Sequence, residues 1–325
     1  MPAVPTQPLT VLIGAVLPEH LQRQFTGAFP DQRFIFCEST KIPDQLPEAD
    51  VLIAWGFTPQ DIERAGRLKW VQSISAGVDR IDGIALRERG IPLTNSSGIH
   101  ANNIAEHILS LMLSFARRLP TLHDFQRAQT WNSDRGRQGV FEITGQTLLV
   151  VGLGKIGEAL AKRAKGLEMQ VIGTRRRLEI ERSSACDEVI PFSALPSRIR
   201  EADHVAICLP LTRNTTGMFD AAMLAAMKDG AYIYNIGRGS IIDQDALIRE
   251  LSSGRLGGAG LDVTTPEPLP ADSPLWRLPN VIITPHTSGS SPKLMERAVP
   301  LWVENLRRFL NGDDLLNQVD VDAGY

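Results

Sequence analysis

The sequence predicts an α/β protein built from two doubly wound, mostly parallel sheets, and three observations lead there. Short apolar runs alternate with stretches of helical periodicity almost throughout, as in strands covered by helices on both faces. The 325 residues are long for one hydrophobic core and comfortable for two. One apolar run, Thr147–Val151, leads straight into Gly152-Leu153-Gly154-Lys155-Ile156-Gly157, a strand–turn–helix junction typical of such sheets.

Taken in order, the first apolar runs are Leu9–Leu17, Phe34–Cys37, Val51–Trp55, Val71–Ile74 and Pro92–Thr94, each about the length of one buried strand. Pro18–Phe29 and Thr58–Ala65 read as helices between them, the latter opened by a Thr-Pro pair suited to a helix start. This unit ends near Ser97. A longer helix is expected over His100–Arg118, because Ile104, Ile108, Leu111 and Phe115 form one stripe, and Pro120 closes it. Thr130–Gly139 is polar and reads as an exposed loop, with Trp131 as a packing anchor or a subunit contact. A second strand series starts at Thr147–Val151 and continues through Met169–Gly173, Glu188–Ile190, His204–Leu209, Ala231–Ile236, Gly258–Val263 and Val281–Thr284. After Ser291 the pattern is helical to Leu310 and stops at Asn311-Gly312, with Pro300 expected to kink or divide that helix.

Composition narrows the function classes. A net charge of −3 leaves no electrostatic footprint for a nucleic-acid backbone. No apolar run approaches the roughly 18 residues of a membrane span, and Met1–Pro8 lacks the features of a secretory signal. Cys37, Cys186 and Cys208 lie far apart without metal-ligand spacing and read as small buried hydrophobes in a reducing, cytoplasmic setting.

The glycine run carries the first chemical signal. Between a strand and a helix, Gly152 makes the tight turn, Gly154 lets a pyrophosphate approach the backbone, and Gly157 permits close helix packing. The helix start then offers N–H groups and a positive dipole end to phosphates. An acid about 20 residues on would accept bonds from the ribose of NAD. Instead the next strand leads into Thr174-Arg175-Arg176-Arg177, and guanidinium groups bind phosphate through paired hydrogen bonds. The expectation is NADP, held through Arg175 and Arg176 with help from Thr174, and NAD is the alternative.

Three ionisable residues follow predicted strands, where α/β enzymes place their chemistry. They are Arg238 in Asn235-Ile236-Gly237-Arg238-Gly239, Glu267 in the segment beginning at Asp262, and His286 in Thr284-Pro285-His286-Thr287-Ser288-Gly289. An Arg, a Glu and a His are what hydride transfer to a 2-keto acid requires. Further motifs stand in order along the chain: Ser75-Ala76-Gly77-Val78-Asp79, Thr94–Gly98 with Ala105-Glu106-His107, Leu209-Pro210-Leu211-Thr212, Ser273-Pro274-Leu275-Trp276, and Asn305-Leu306 with Phe309–Gly312.

Together these motifs make nearly the whole chain resemble the D-isomer-specific 2-hydroxyacid dehydrogenases, the family of glyoxylate/hydroxypyruvate reductases and phosphoglycerate dehydrogenases. The resemblance implies two Rossmann-like or flavodoxin-like domains with the active site in the cleft between them. It places a substrate-binding domain at 1–99 with 288–325 and an NAD(P)-binding Rossmann domain at 100–287. By that resemblance Arg238 grips the substrate carboxylate, and His286 gives a proton to the carbonyl oxygen and takes it back in the oxidative direction. Glu267 pairs with His286, orienting the ring and keeping it protonated longer, while Asp262 bonds the nicotinamide carboxamide. Lys155, Ile156, Pro210, Thr215, Ile236, Gly237 and Gly289 complete the expected cofactor contacts, and Ser75, Ala76, Gly77 and Val78 the substrate contacts. Trp55 and Phe57 hint at a substrate side chain bulkier or less charged than a phosphate. The absence of an added regulatory domain argues against a long-form phosphoglycerate dehydrogenase. A homodimer through the cofactor domain is expected, and the rival reading is an NAD(H)-sensing, corepressor-like binding protein with little or no catalysis.

Overall fold

The computed structural model describes residues 7–79, 81–176 and 183–324. The chain divides into two compact units, Met1–His100 with Ser291–Tyr325, and Ala101–Ser290. In the first, β1 (Thr10–Gly14), β2 (Arg33–Phe36), β3 (Val51–Ala54), β4 (Trp70–Ser73) and β5 (Leu93–Thr94) form one sheet in the order β2-β1-β3-β4-β5. Every pairing is parallel. Such strands are covered on both faces, which is why they read as unbroken apolar runs. Val11 and Ile13 face a core containing Phe25, Trp70 and Trp302, while Leu12 faces one containing Leu52, Ile62 and Val71.

The helix Leu294–Asn311 covers the first of these cores and runs unbroken through Pro300, correcting the expectation of a division there. Trp302 is fully buried and donates from Nε1 to Ser96 Oγ at 3.0 Å. Asn305, also fully buried, donates to Gln72 Oε1 at 3.0 Å and to the carbonyl of Leu316. Polar groups this deep are tolerated because each finds a partner.

The second unit holds a seven-stranded parallel sheet. Its strands are β6 (Thr147–Val151), β7 (Gln170–Arg175), β8 (Glu188–Pro191), β9 (His204–Ile207), β10 (Tyr232–Asn235), β11 (Gly258–Leu261) and β12 (Val281–Ile283), in the order β12-β11-β10-β9-β6-β7-β8. The chain runs outward from β6 through β7 to β8, then returns to place β9 on the other side of β6. The direction of winding therefore reverses between β6 and β9, the point where open parallel sheets bind ligands beyond their carboxyl edge.

Two expectations need correction in this unit. Helices occupy Leu119–Arg127 and Ser133–Arg137, where a helix stop and an exposed loop were expected. Pro120 fits the first turn of a new helix, where its missing N–H costs nothing, and the Asn132 side chain caps the second helix by accepting from Arg135 N. The cysteines are unpaired and partly buried, Cys186 and Cys208 packed against a core of this unit and Cys37 against a core of the first, as apolar side chains would be. Among the described residues no helix is long and apolar enough to cross a membrane, and no cluster of His, Cys, Asp or Glu could hold a metal ion.

Candidate active site

Every strand of the second sheet from β9 to β12, and β6 and β7 beside them, delivers its expected site residues at the carboxyl edge. Because all pairings are parallel, these loops share one side of one sheet. The glycine turn leaves β6 at the reversal point. Gly152 has φ +105°, and a Cβ there would come within 2.9 Å of the Cys208 carbonyl oxygen beyond β9. A Cβ at Gly157 would lie 2.2 Å from the Gly152 carbonyl oxygen, so the helix Lys155–Gly166 can start this close to the turn only without one.

Above Gly154, by contrast, a Cβ would meet nothing within 4 Å, and no side chain caps the helix start. The first N–H groups of a helix lack intrahelical partners, so this open end fits the pyrophosphate of a dinucleotide. Lys155 is exposed beside it and Ile156 half-buried. Thr174 is fully buried at the end of β7, where its Oγ1 accepts from Gly152 N at 3.0 Å and holds the turn in shape. Arg175 is half-buried and ion-paired with Glu158 on the glycine helix, and Glu158 also accepts from Ser183 Oγ at 2.5 Å. Arg176 is exposed, and Arg177 lies outside the described residues.

Beyond β9, Pro210 is exposed and its carbonyl accepts from Thr215 Oγ1 at 2.7 Å, so Thr215 braces that loop. Beyond β10 the loop is braced by Asn235, which the sequence reading passed over. Asn235 Oδ1 accepts from Gly237 N at 3.0 Å, and its Nδ2 donates to the Arg238 carbonyl at 2.9 Å. Ile236 and Gly237 are buried by this turn, while the Arg238 guanidinium donates to the Gly237 carbonyl at 2.8 Å and remains half-buried.

Beyond β11 and β12 the expected acid and base meet. His286 Nδ1 and Glu267 Oε2 are 2.9 Å apart. A carboxylate can only accept, so the hydrogen sits on Nδ1 and Nε2 is left for another partner. The imidazole is 42% exposed, and its Nε2 has no hydrogen-bond partner among the described residues. His286 has φ +54°, an uncommon conformation for a residue with a side chain.

Asp262 explains how that conformation is held. Its Oδ1 accepts from Thr284 Oγ1 at 2.6 Å and Thr287 N at 2.9 Å, its Oδ2 from Ser288 N at 3.0 Å, and its backbone oxygen from His286 N at 2.9 Å. Burial would raise its carboxyl, but the bonds from Ser288, Thr284 and Thr287 outweigh it and hold the group below its ordinary range. Gly289, half-buried, ends this turn. In the first unit, Ser75–Val78 leaves β4, and the N–H groups of Ala76, Gly77 and Val78 make no hydrogen bond among the described residues. Ser75 and Ala76 are half-buried, Gly77 is exposed and Val78 buried.

A family model described as "D-isomer specific 2-hydroxyacid dehydrogenase, NAD binding domain" matches residues 109–288. A glyoxylate/hydroxypyruvate reductase B of Yersinia enterocolitica is 33% identical over 315 residues, covering 93% of this chain and 94% of the relative. A crystal structure of a D-isomer specific 2-hydroxyacid dehydrogenase family protein from Aeromonas salmonicida is 34% identical and covers 98% of this chain and 100% of its own, with a TM-score of 0.83. An NADPH-dependent glyoxylate/hydroxypyruvate reductase from Sinorhizobium meliloti, solved with NADP and sulfate, is 28% identical over 98% of this chain and 100% of its own, with a TM-score of 0.81.

Proposed function

Because the chain belongs to the D-isomer-specific 2-hydroxyacid dehydrogenase family and is an NAD(P)-dependent oxidoreductase, we propose that it reduces small 2-keto acids of the glyoxylate and hydroxypyruvate kind. NAD(P)H, when bound along the glycine turn, supplies the hydride. The rest of the chemistry falls to the chain's own residues, and the pairing of His286 with Glu267 carries the reading.

In this reading His286 donates the proton on Nε2 to the substrate carbonyl oxygen, and the reverse reaction returns it there. Glu267 stabilises the charged ring through Nδ1 and fixes which nitrogen faces outward. Arg238 grips the substrate carboxylate, since a guanidinium keeps its charge and binds two oxygens at once. The N–H groups of Ala76–Val78, beside Ser75, make no hydrogen bond among the described residues and are proposed as donors to a substrate carboxylate. On the cofactor side, Gly152, Gly154, Lys155, Ile156 and Gly157 are assigned to the pyrophosphate, and Pro210, Thr215, Ile236, Gly237 and Gly289 to the loops that line its path. Asp262, whose Oδ2 accepts from Ser288 N, is assigned to the nicotinamide carboxamide.

The cofactor is proposed to be NADP, with Thr174 shaping the turn and Arg175 and Arg176 meeting the 2′-phosphate. The NADP-bound relative from Sinorhizobium meliloti supports this choice. A homodimer formed through the second unit is also proposed, with Trp131 at its contact, because that ring is 96% exposed and Leu119 and Leu122 nearby in sequence are exposed too.

Steady-state assays of a panel of 2-keto acids with both cofactors test the reading. Oxidation of NADPH with glyoxylate or hydroxypyruvate, and a higher kcat/KM for NADPH than for NADH, is the expected result. Tight cofactor binding with no turnover of any 2-keto acid would favour a redox-sensing binding protein, and equal use of both cofactors would remove the role given to Arg175. Light scattering of the purified protein, beside a Trp131→Asp variant, reads the oligomeric state.

A further inference from the structure

His107 lies in the helix Ala101–Ala116, in a motif to which the proposed chemistry gives no task. Its Nε2 is 3.0 Å from Thr284 Oγ1, and that hydroxyl is 2.6 Å from Asp262 Oδ1. The direction of each bond follows from the groups. An ionised carboxylate only accepts, so the one hydroxyl hydrogen of Thr284 goes to Asp262, and Thr284 Oγ1 in turn accepts from His107. Nε2 of His107 therefore carries a hydrogen, and the same nitrogen stands 3.8 Å from Asp262 Oδ1.

The far end of this chain is the turn that aims His286. Asp262 takes N–H groups from Thr287 and Ser288, and its own carbonyl takes the N–H of His286, so it grips both sides of a residue at φ +54°. A carboxylate free to rotate would release those bonds, and the left-handed conformation of His286 persists only where its surroundings over-determine it. We propose that His107 is a positioning residue that, through Thr284, locks the Asp262 carboxylate beneath the His286 turn. It touches no reacting atom. The inference rests on the reading of His286 as the proton carrier.

The test uses the whole protein with NADPH and the 2-keto acid it turns over fastest. His107→Phe keeps a ring but removes the donor; kcat should fall about ten- to a hundredfold while NADPH binding, read by fluorescence titration, changes less than twofold. His107→Gln, which restores an N–H donor, should recover most of that loss. Thr284→Val cuts the chain at its middle, so it should act like His107→Phe, and the double variant should be no slower than either alone. Normal turnover in His107→Phe, equal slowing by Phe and Gln, or losses that multiply in the double variant would overturn the proposal. Should His107→Phe fail to fold, Thr284→Val carries the same expectation and is overturned by normal turnover. His286→Ala separates the two ideas: normal rates there sink the acid assignment itself, whereas a slow His286→Ala beside a normal His107→Phe sinks only the role of His107.

Discussion

The two edges of the seven-stranded sheet carry histidines in opposite conditions. At the amino edge, His204 opens β9 and is fully buried. Its Nε2 donates to Gln146 Oε1 at 2.6 Å, its Nδ1 accepts from Tyr234 Oη at 3.1 Å, and it stacks on the rings of Tyr232 and Tyr234. At the carboxyl edge, His286 is exposed, strained in its backbone and, among the described residues, bonded at one nitrogen only. One imidazole has spent both nitrogens on the fold, while the other keeps one in reserve. Burial pushes His204 down to about 4, which leaves it a neutral strut near neutral pH. A ring in that state can neither give nor take a proton, so the difference in satisfaction, more than the residue type, separates chemistry from architecture.

The sharpest way to break this contrast is His286→Ala, which should lower kcat about 10²- to 10⁴-fold while thermal unfolding and cofactor binding stay near normal. A large loss of melting temperature with intact turnover would reverse the assignment of the two edges. Glu267→Gln should lower kcat about 10²-fold, because the ring loses the charge that orients and stabilises it, with KM for cofactor unchanged. Arg175→Ala should cost about ten- to a hundredfold in kcat/KM for NADPH and leave NADH little affected, as charge-assisted bonds to the 2′-phosphate disappear. Equal losses with both cofactors would mean that Arg175 serves only to anchor Glu158.

His204 gives the smallest effect on rate and a distinctive one on stability. Its pKa falls from the ordinary 6.5 to about 4 on folding, so above 6.5 both states are neutral and nothing is lost. As pH drops below 6.5 the unfolded chain binds a proton that the folded one refuses, and stability declines until about 4, by about 3 kcal/mol in total. Chemical denaturation of the natural protein and of His204→Leu across that range measures this. The variant should be less stable at neutral pH by about 2 kcal/mol, since Gln146 and Tyr234 lose partners, yet show a shallower acid decline and normal kcat. Parallel pH curves would remove His204 from the account.

Much of this contrast was legible in the sequence, and the rest was hidden for definable reasons. The strands stood out because both faces of a parallel sheet are buried, yet Leu9–Leu17 shrinks to Thr10–Gly14, since apolar Ala15 and Leu17 stay buried after pairing ends. Pro120 read as an ending because proline breaks helices, and the polar run at Ser133–Arg137 hid a helix that depends on the Asn132 cap. The pairing of His286 with Glu267 was anticipated by resemblance, and the structure supplies its 2.9 Å geometry. What no local pattern revealed were bonds between distant segments: His107 to Thr284, and Arg175 to Glu158. The bracing by Asn235 did have a local signal, because an Asn two residues before a glycine is a common side-chain-to-backbone turn.

The helix Leu294–Asn311 belongs to the unit that begins the chain, and Trp302 and Asn305 fill its core against Ser96 and Gln72. A ribosome therefore delivers the first hundred residues long before the piece that seals them, whereas Ala101–Ser290 is synthesised without interruption. Until then the sheet face that holds Val11, Ile13 and Trp70 is covered by the helix Glu19–Ala28 without its second helix, and part of its apolar surface meets water. Release before residue 294 leaves that first unit unsealed while sparing the nucleotide-binding one.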